Sequence, residues 1–122
     1  MLSIKPEYVE RILSGEKTYE FRRRIFRRDD IDTIVIYSTS PQCAVIGEAR
    51  IDRILVSSPE RLWDETHASG GISRERFMDY FHDAKVAYAI KIKHVDPFKK
   101  PKPLTDYAPR VKCAPQSFVY VD

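Results

Sequence analysis

Cysteine is scarce in this chain: Cys43 and Cys113 are the only two, with no C-x-x-C pair and no histidine nearby at zinc-ligand spacing. That argues against a thiolate metal centre and a disulfide-built fold. Two free, buried thiols in a reducing, cytoplasmic setting are the expectation, with a disulfide as the alternative and no cofactor or metal implied. Long apolar runs are missing too. No stretch approaches the roughly 18 apolar residues of a membrane helix. Met1-Leu2-Ser3-Ile4-Lys5-Pro6 lacks the basic start, apolar region and small-residue cleavage site of a secretory signal. Internal repeats and low-complexity tracts are absent, and no linker precedes a Pro/Lys stretch near the end.

What is present suits one globular domain over residues 1–122 with one core: 43% of residues are hydrophobic and 32% charged. The net charge of +3 is modest but unevenly spread. Residues 1–28 hold eight Lys/Arg against four Asp/Glu, which leaves the remainder at about neutrality. Arg22, Arg23, Arg24, Arg27 and Arg28 form the densest run, closed by Asp29, Asp30 and Asp32. Such a run attracts phosphates, or else is a solvated edge paired with its own aspartates.

Met1–Ile4 reads as a short strand, followed by a helix opened by Pro6 in which Tyr8, Val9, Ile12 and Leu13 share a face. Gly15 ends it, and a tight turn leads into a strand over Thr18–Arg24. There Tyr19 and Phe21 face one side and Glu20 and Arg22 the other. Thr33–Ser38 is β-branched on both faces. Along Ala44–Val56 the apolar positions change parity, which predicts a bulge near Asp52 or Arg53 and a bent strand of the kind that closes barrels. Ser58-Pro59 opens a helix to about His67, ended by Ser69-Gly70-Gly71, and Ser73 caps another over Arg74–Phe81. Val86, Tyr88, Ile90 and Ile92 predict a strand with one wet face. Pro97, Pro101, Pro103 and Pro109 predict an irregular passage, and Phe118–Val121 a last strand. The class is α+β, a small mixed-strand β-barrel flanked by short helices.

Ser14-Gly15-Glu16-Lys17-Thr18-Tyr19-Glu20-Phe21-Arg22 contains Gly-x-Lys-x-x-Glu-x-Arg at a helix-to-strand junction. This resembles the signature of the ASCH domain, a relative of the PUA-like RNA-binding barrels. Leu2-Ser3-Ile4-Lys5-Pro6, Tyr37-Ser38-Thr39-Ser40-Pro41, Val45-Ile46-Gly47-Glu48, Gly71-Ile72-Ser73 and Pro115-Gln116-Ser117-Phe118 extend the likeness over nearly the whole chain. They resemble a branch whose members include predicted transcriptional regulators with an added helix-turn-helix domain. A chain of this length leaves no room for that addition, so the module alone is expected.

The resemblance implies a pocket beside the barrel for a nucleotide or a splayed base of single-stranded RNA. Lys17 and Arg22 can converge on an anion, with Glu20 orienting the guanidinium. Lys5 and Glu48 are candidate walls, Arg23 and Arg24 further phosphate contacts, and Tyr37, Trp63 or Tyr80 stacking partners. For Trp63 core packing is the favoured role, and a surface ion-pair network is the bland alternative for Lys17, Glu20 and Arg22. Some ASCH proteins hydrolyse the acetyl amide of modified cytidine with Gly-x-Lys-x-x-Thr-x-Arg, and others are linked to ribonuclease activity. Here Glu20 stands in place of that threonine. An enzymatic reading therefore rests on Lys17, Glu20 and Glu48, with Glu20 or Glu48 as general base. His67, His82 and His94 lie outside the signature and read as surface or packing residues. The leading expectation is a monomeric RNA- or nucleotide-binding module, with a small hydrolase second and an acidic protein partner for the arginine run third.

Overall fold

The computed structural model describes residues 1–121. Its five strands make one mixed sheet in the order Leu2–Ile4, Thr33–Ser38, Ala44–Ser57, Ala87–Lys102, Tyr19–Arg22. β1 (Leu2–Ile4) is parallel to β3 (Thr33–Ser38). β4 (Ala44–Ser57) is antiparallel to both β3 and β5 (Ala87–Lys102), and β2 (Tyr19–Arg22) is antiparallel to β5. Helices α1 (Pro6–Ser14), α2 (Pro59–Thr66), α3 (Arg74–Tyr80) and α4 (Leu104–Tyr107) flank it. The α+β class is as expected. The strand ladder does not close: β1 and β2 remain edges, spanned by Arg22, whose Nη1 donates to the Ser3 carbonyl at 3.3 Å.

Local chemistry explains the elements that frame that gap. Pro6 starts α1, and Gly15 ends it in the left-handed conformation at φ 86°, open to glycine without strain. Only Val9 and Ile12 are buried from α1, while Leu13 is 42% exposed, so its apolar face is narrower than the sequence pattern implied. Ser58 and Ser73 each accept a backbone N–H three residues on, capping α2 and α3.

Apolar side chains divide between the two sheet faces. Ile34, Ile36, Ile46, Ala49 and Ile90 pack with Val9 and Ile12 on the inner face, under α1. On the outer face, Phe21, Leu62, Phe77, Phe81, Ala87 and Ala89 form one cluster, and Val35, Tyr37 and Val45 another beneath the C-terminal segment. The single expected core is thus three clusters around one sheet. Register shifts fall between Arg50 and Ile51 and between Ile51 and Arg53, where the parity change placed the bulge.

Four expectations need correction. Both cysteines are exposed, Cys43 in a turn at φ 49° and Cys113 in the C-terminal segment, so position overrides the usual burial of free thiols. β5 does not alternate wet and dry. Val86 is 45% exposed, whereas Ala87 and Ala89 join one cluster and Ile90 and Ile92 another, because helices cover the outer face at that end. The strand also runs on through Pro97 and Pro101. Pro97 lies opposite Gly47, where an added Cβ would come within 2.8 Å of the Pro97 Cα, so the missing side chain makes room for the proline. Phe118–Val121 contributes one bridge, Leu2 to Phe118, instead of a strand.

Candidate functional site

A cavity of about 600 Å³ opens where the sheet fails to close. Ser3, Ile4 and Lys5 line it from β1 and the start of α1, with Glu7 and Tyr8 above them. Lys17, Glu20, Phe21 and Arg22 line it from β2 and the turn before it, and Ile72, Arg76, Asp79 and Tyr80 from α3 and its approach. Gln116 of the C-terminal segment completes the wall. Its volume suits a nucleotide-sized ligand, which occupies sites of roughly 300–1,000 Å³.

Lys17 is 3% exposed. Its Nζ donates to the Gly70 carbonyl at 2.6 Å and lies 4.5 Å from the Phe21 ring centroid and 5.4 Å from that of Tyr8. Its stem is held against Gly71, at φ 61°, where a Cβ would stand 2.6 Å from the Lys17 Cβ. Burial pushes the ammonium down from 10.5 to about 8, opposed by attraction to Glu20 and helped by repulsion from Arg11.

Arg22, 8% exposed, is largely committed to structure. Nη1 donates to Glu20 Oε2 at 3.1 Å and to the Ser3 carbonyl, while Nη2 donates to the Ser117 carbonyl at 2.5 Å. One guanidinium therefore ties β2 to β1 and to the C-terminal segment across the open edge. Among the described residues no hydrogen bond reaches Glu20 Oε1, which leaves that oxygen as a cavity acceptor. At the mouth, Arg76 Nη1 donates to both carboxylate oxygens of Glu7, at 2.9 and 3.0 Å, and to the Tyr8 hydroxyl at 3.3 Å. The lining is thus mixed in charge: Lys5, Lys17, Arg22 and Arg76 face Glu7, Glu20 and Asp79.

The other sequence candidates lie elsewhere. Tyr37 is buried in the outer-face cluster with Val35 and Val45. Glu48 accepts from the Tyr107 hydroxyl at 2.8 Å outside the cavity, and burial followed by this bond pushes the Tyr107 phenol up to about 12. Arg23 donates to the carbonyls of Tyr80 and His82 at 2.9 and 2.8 Å, and Arg28 meets Asp30 at 2.8 Å. Arg24 and Arg27 are exposed, with no ion pair among the described residues. Trp63 packs on Phe77, ring centroids 5.2 Å apart, whereas Tyr80 lines the cavity. Arg76, Glu7, Tyr8 and Asp79 carry no motif; only the packing of α1 and α3 brings them to Lys17, Glu20 and Arg22. Among the described residues, no group of three or more His, Cys, Asp or Glu is placed to hold a metal ion, and no helix is long and apolar enough to cross a membrane.

The ASCH domain profile matches residues 2–99. An ASCH domain-containing ribonuclease from Zymomonas mobilis is 33% identical over 99 residues, covering 81% of this chain and 67% of that protein. The crystal structure of ASCH from Zymomonas mobilis superposes with a TM-score of 0.89 at 31% identity, covering 99% of this chain and 85% of that one. Crystal structures of a tyrosine-to-phenylalanine and a serine-to-alanine mutant of the Zymomonas protein give the same TM-score of 0.89 at 30% identity. They cover 99% of this chain and 88% and 86% of theirs. A protein named ATP synthase subunit alpha, from Ureaplasma parvum, is 28% identical over 122 residues; the match takes in 99% of this chain but 15% of that protein. The fold and the profile match agree: this chain belongs to the ASCH domain family.

Proposed function

We propose that this protein binds RNA, seating one nucleotide in the cavity between β1 and β2. The observation that carries this reading is Lys17, a nearly fully buried ammonium that shares a nucleotide-sized cavity with the free oxygen of Glu20. A base offers both donors and acceptors, so a site pairing a donor cation with an acceptor carboxylate suits it better than an all-cationic one. Tyr8, Phe21 and Tyr80 supply ring surface around it. Lys5 and Arg76, exposed at the mouth, are placed to meet the phosphate. The Zymomonas relative's name supports RNA as the polymer.

Cleavage of the bound RNA is a second reading, favoured by the Lys17 pKa of about 8 beside a carboxylate. Glu20 Oε1 takes the proton of the attacking ribose 2′-hydroxyl as its oxygen bonds to phosphorus, the phosphorus bond to the 5′-oxygen breaks and that oxygen takes a proton from water, while Lys17 steadies the charge that builds on the phosphoryl oxygen. Glu48, tied to Tyr107 outside the cavity, has no part in this reading. The acetyl-amide reaction would use the same two groups, with water in place of the absent threonine nucleophile.

Titration of a labelled RNA pool and of single nucleotides into the purified chain tests the binding reading. Lys17→Ala is expected to weaken nucleotide binding at least about tenfold, as loss of a charged hydrogen bond does. Equal affinity in the two folded proteins would overturn it. Incubation of RNA and of acetylated cytidine, with product analysis, separates binding from either reaction.

A further inference from the structure

The outer face of the sheet is covered at both ends and bare in the middle. The Phe77 cluster covers Leu55, Phe21 and Ala89, and the C-terminal segment covers Val35, Tyr37 and Val45. Between them, β4 and β5 turn inward with Ala49, Ile51, Ile54, Ile90, Ile92 and Val95, all packed with the inner cluster. Two residues separate Ile51 from Ile54 and two separate Ile92 from Val95, where an even alternation would leave one. Each irregularity therefore puts two consecutive side chains outward: Asp52 with Arg53, and Lys93 with His94. All four are exposed, as is Arg50.

We propose that this bare middle is a phosphate-binding strip that docks the nucleic-acid backbone beyond the nucleotide held in the cavity. The inference goes beyond the RNA reading in placing a second contact, and rests on that reading for the identity of the anion. Three features support it. The strip holds the cations Arg50, Arg53, Lys91 and Lys93 against two carboxylates, Asp52, which Lys91 Nζ meets at 3.7 Å, and Asp96, which His94 Nε2 meets at 2.8 Å. Arg50, Arg53 and Lys93 have no ion pair among the described residues. Arg53 also stands directly opposite Lys91. Like charges in register destabilise a sheet, and this arrangement is relieved when an anion lies across it. Finally, the row continues from Arg53 and Lys91 to Tyr19 on the edge strand β2, which adds a ring beside the cations. Tyr19 stacks beside Phe21, ring centroids 6.5 Å apart, on the face of β2 opposite Glu20.

The test compares the full chain with an Arg50→Gln/Arg53→Gln double variant, using uridine monophosphate and a single-stranded RNA of about a dozen nucleotides. The variant is expected to bind the long RNA about tenfold more weakly, with a salt slope reduced by about 1.4, since each single-strand phosphate contact contributes about 0.7. Nucleotide binding is expected to be unchanged and the melting temperature slightly raised, which also verifies the fold. The strip is refuted if both proteins bind the long RNA with the same affinity and slope, or if the wild type binds no long RNA. Should long RNA bind in a strip-dependent manner while the mononucleotide does not bind, the strip stands and the cavity reading fails. Retention of an acidic peptide in place of RNA refutes the strip as a nucleic-acid surface.

Discussion

The cavity and the outer strip both concentrate positive charge on β-strands, yet they hold it in opposite ways. In the cavity, Arg22 and Lys17 are almost completely buried and donate to Glu20, Ser3, Ser117 and Gly70. On the strip, Arg50 and Arg53 stand exposed, with Arg53 opposite Lys91 in register. Burial makes the first set expensive and therefore fixed, because an ion removed from water must be repaid by hydrogen bonds. Exposure makes the second set cheap and electrostatically open, its influence screened by salt within about 10 Å. Geometry is specified where charge is buried, and general attraction where it is not.

Breaking the buried set should have the largest effect. Arg22→Met leaves Glu20 as an unpaired buried carboxylate and frees the carbonyls of Ser3 and Ser117, so a loss of about 3–5 kcal/mol in urea unfolding is expected. Adding Glu20→Gln should recover part of that loss; a double variant as unstable as the single one would show that the carboxylate is not the source of the penalty.

Lys17 gives a pH signature. Its folded pKa lies below the unfolded 10.5, so the cost of burying the ammonium is fully present below about pH 8 and is relieved as pH rises from 8 towards 10.5. Stability contributed through this group should rise by about 3 kcal/mol across that window, at 1.36 kcal/mol per unit. Lys17→Met should remove this component, and equal pH profiles for the two proteins would mean that the amine is hydrated.

Gly71→Ala sharpens the comparison at smaller scale. It forces a side chain into a left-handed turn and against the Lys17 stem, for a loss of about 1–3 kcal/mol and a displaced amine whose titration NMR would follow. Tyr107→Phe, in a half-buried setting between the two extremes, should cost about 1 kcal/mol by thermal melting, because Glu48 loses its donor. The smallest effect belongs to the strip: Arg53→Gln should stabilise by a few tenths of a kcal/mol, since relief of an exposed like-charge pair is worth roughly 0.2–1 kcal/mol. A loss on that substitution would show that Arg53 has a structural partner.

Much of the fold was legible where local chemistry is decisive. Pro6 and Gly15 bracket α1, Ser58 and Ser73 cap their helices, and the parity change along β4 placed a bulge near Asp52 or Arg53. Legibility failed where a distant segment decides the outcome. Pro97 reads as a breaker until Gly47 is known to lie opposite, and Ala87 and Ala89 read as the wet face until α2 and α3 are known to cover them. At the site, the motif brought out Lys17, Glu20 and Arg22, but not that Arg22 spends its donors on β1 and the C-terminal segment. Glu48 and Tyr37 looked equally eligible by residue type, and the register of β3 and β4 directs them to the outer face.

The amino-acid sequence by itself determined the class, the short-range stops and starts, the membership of a family, and a basic stretch over residues 1–28. These depend on neighbours within a few residues, whose covalent proximity fixes their geometry. Which strands become edges, which charges are buried, and that a cavity opens at the unclosed seam were decided only in three dimensions. Those outcomes depend on pairings between residues as far apart as Arg22 and Ser117, which no local pattern encodes.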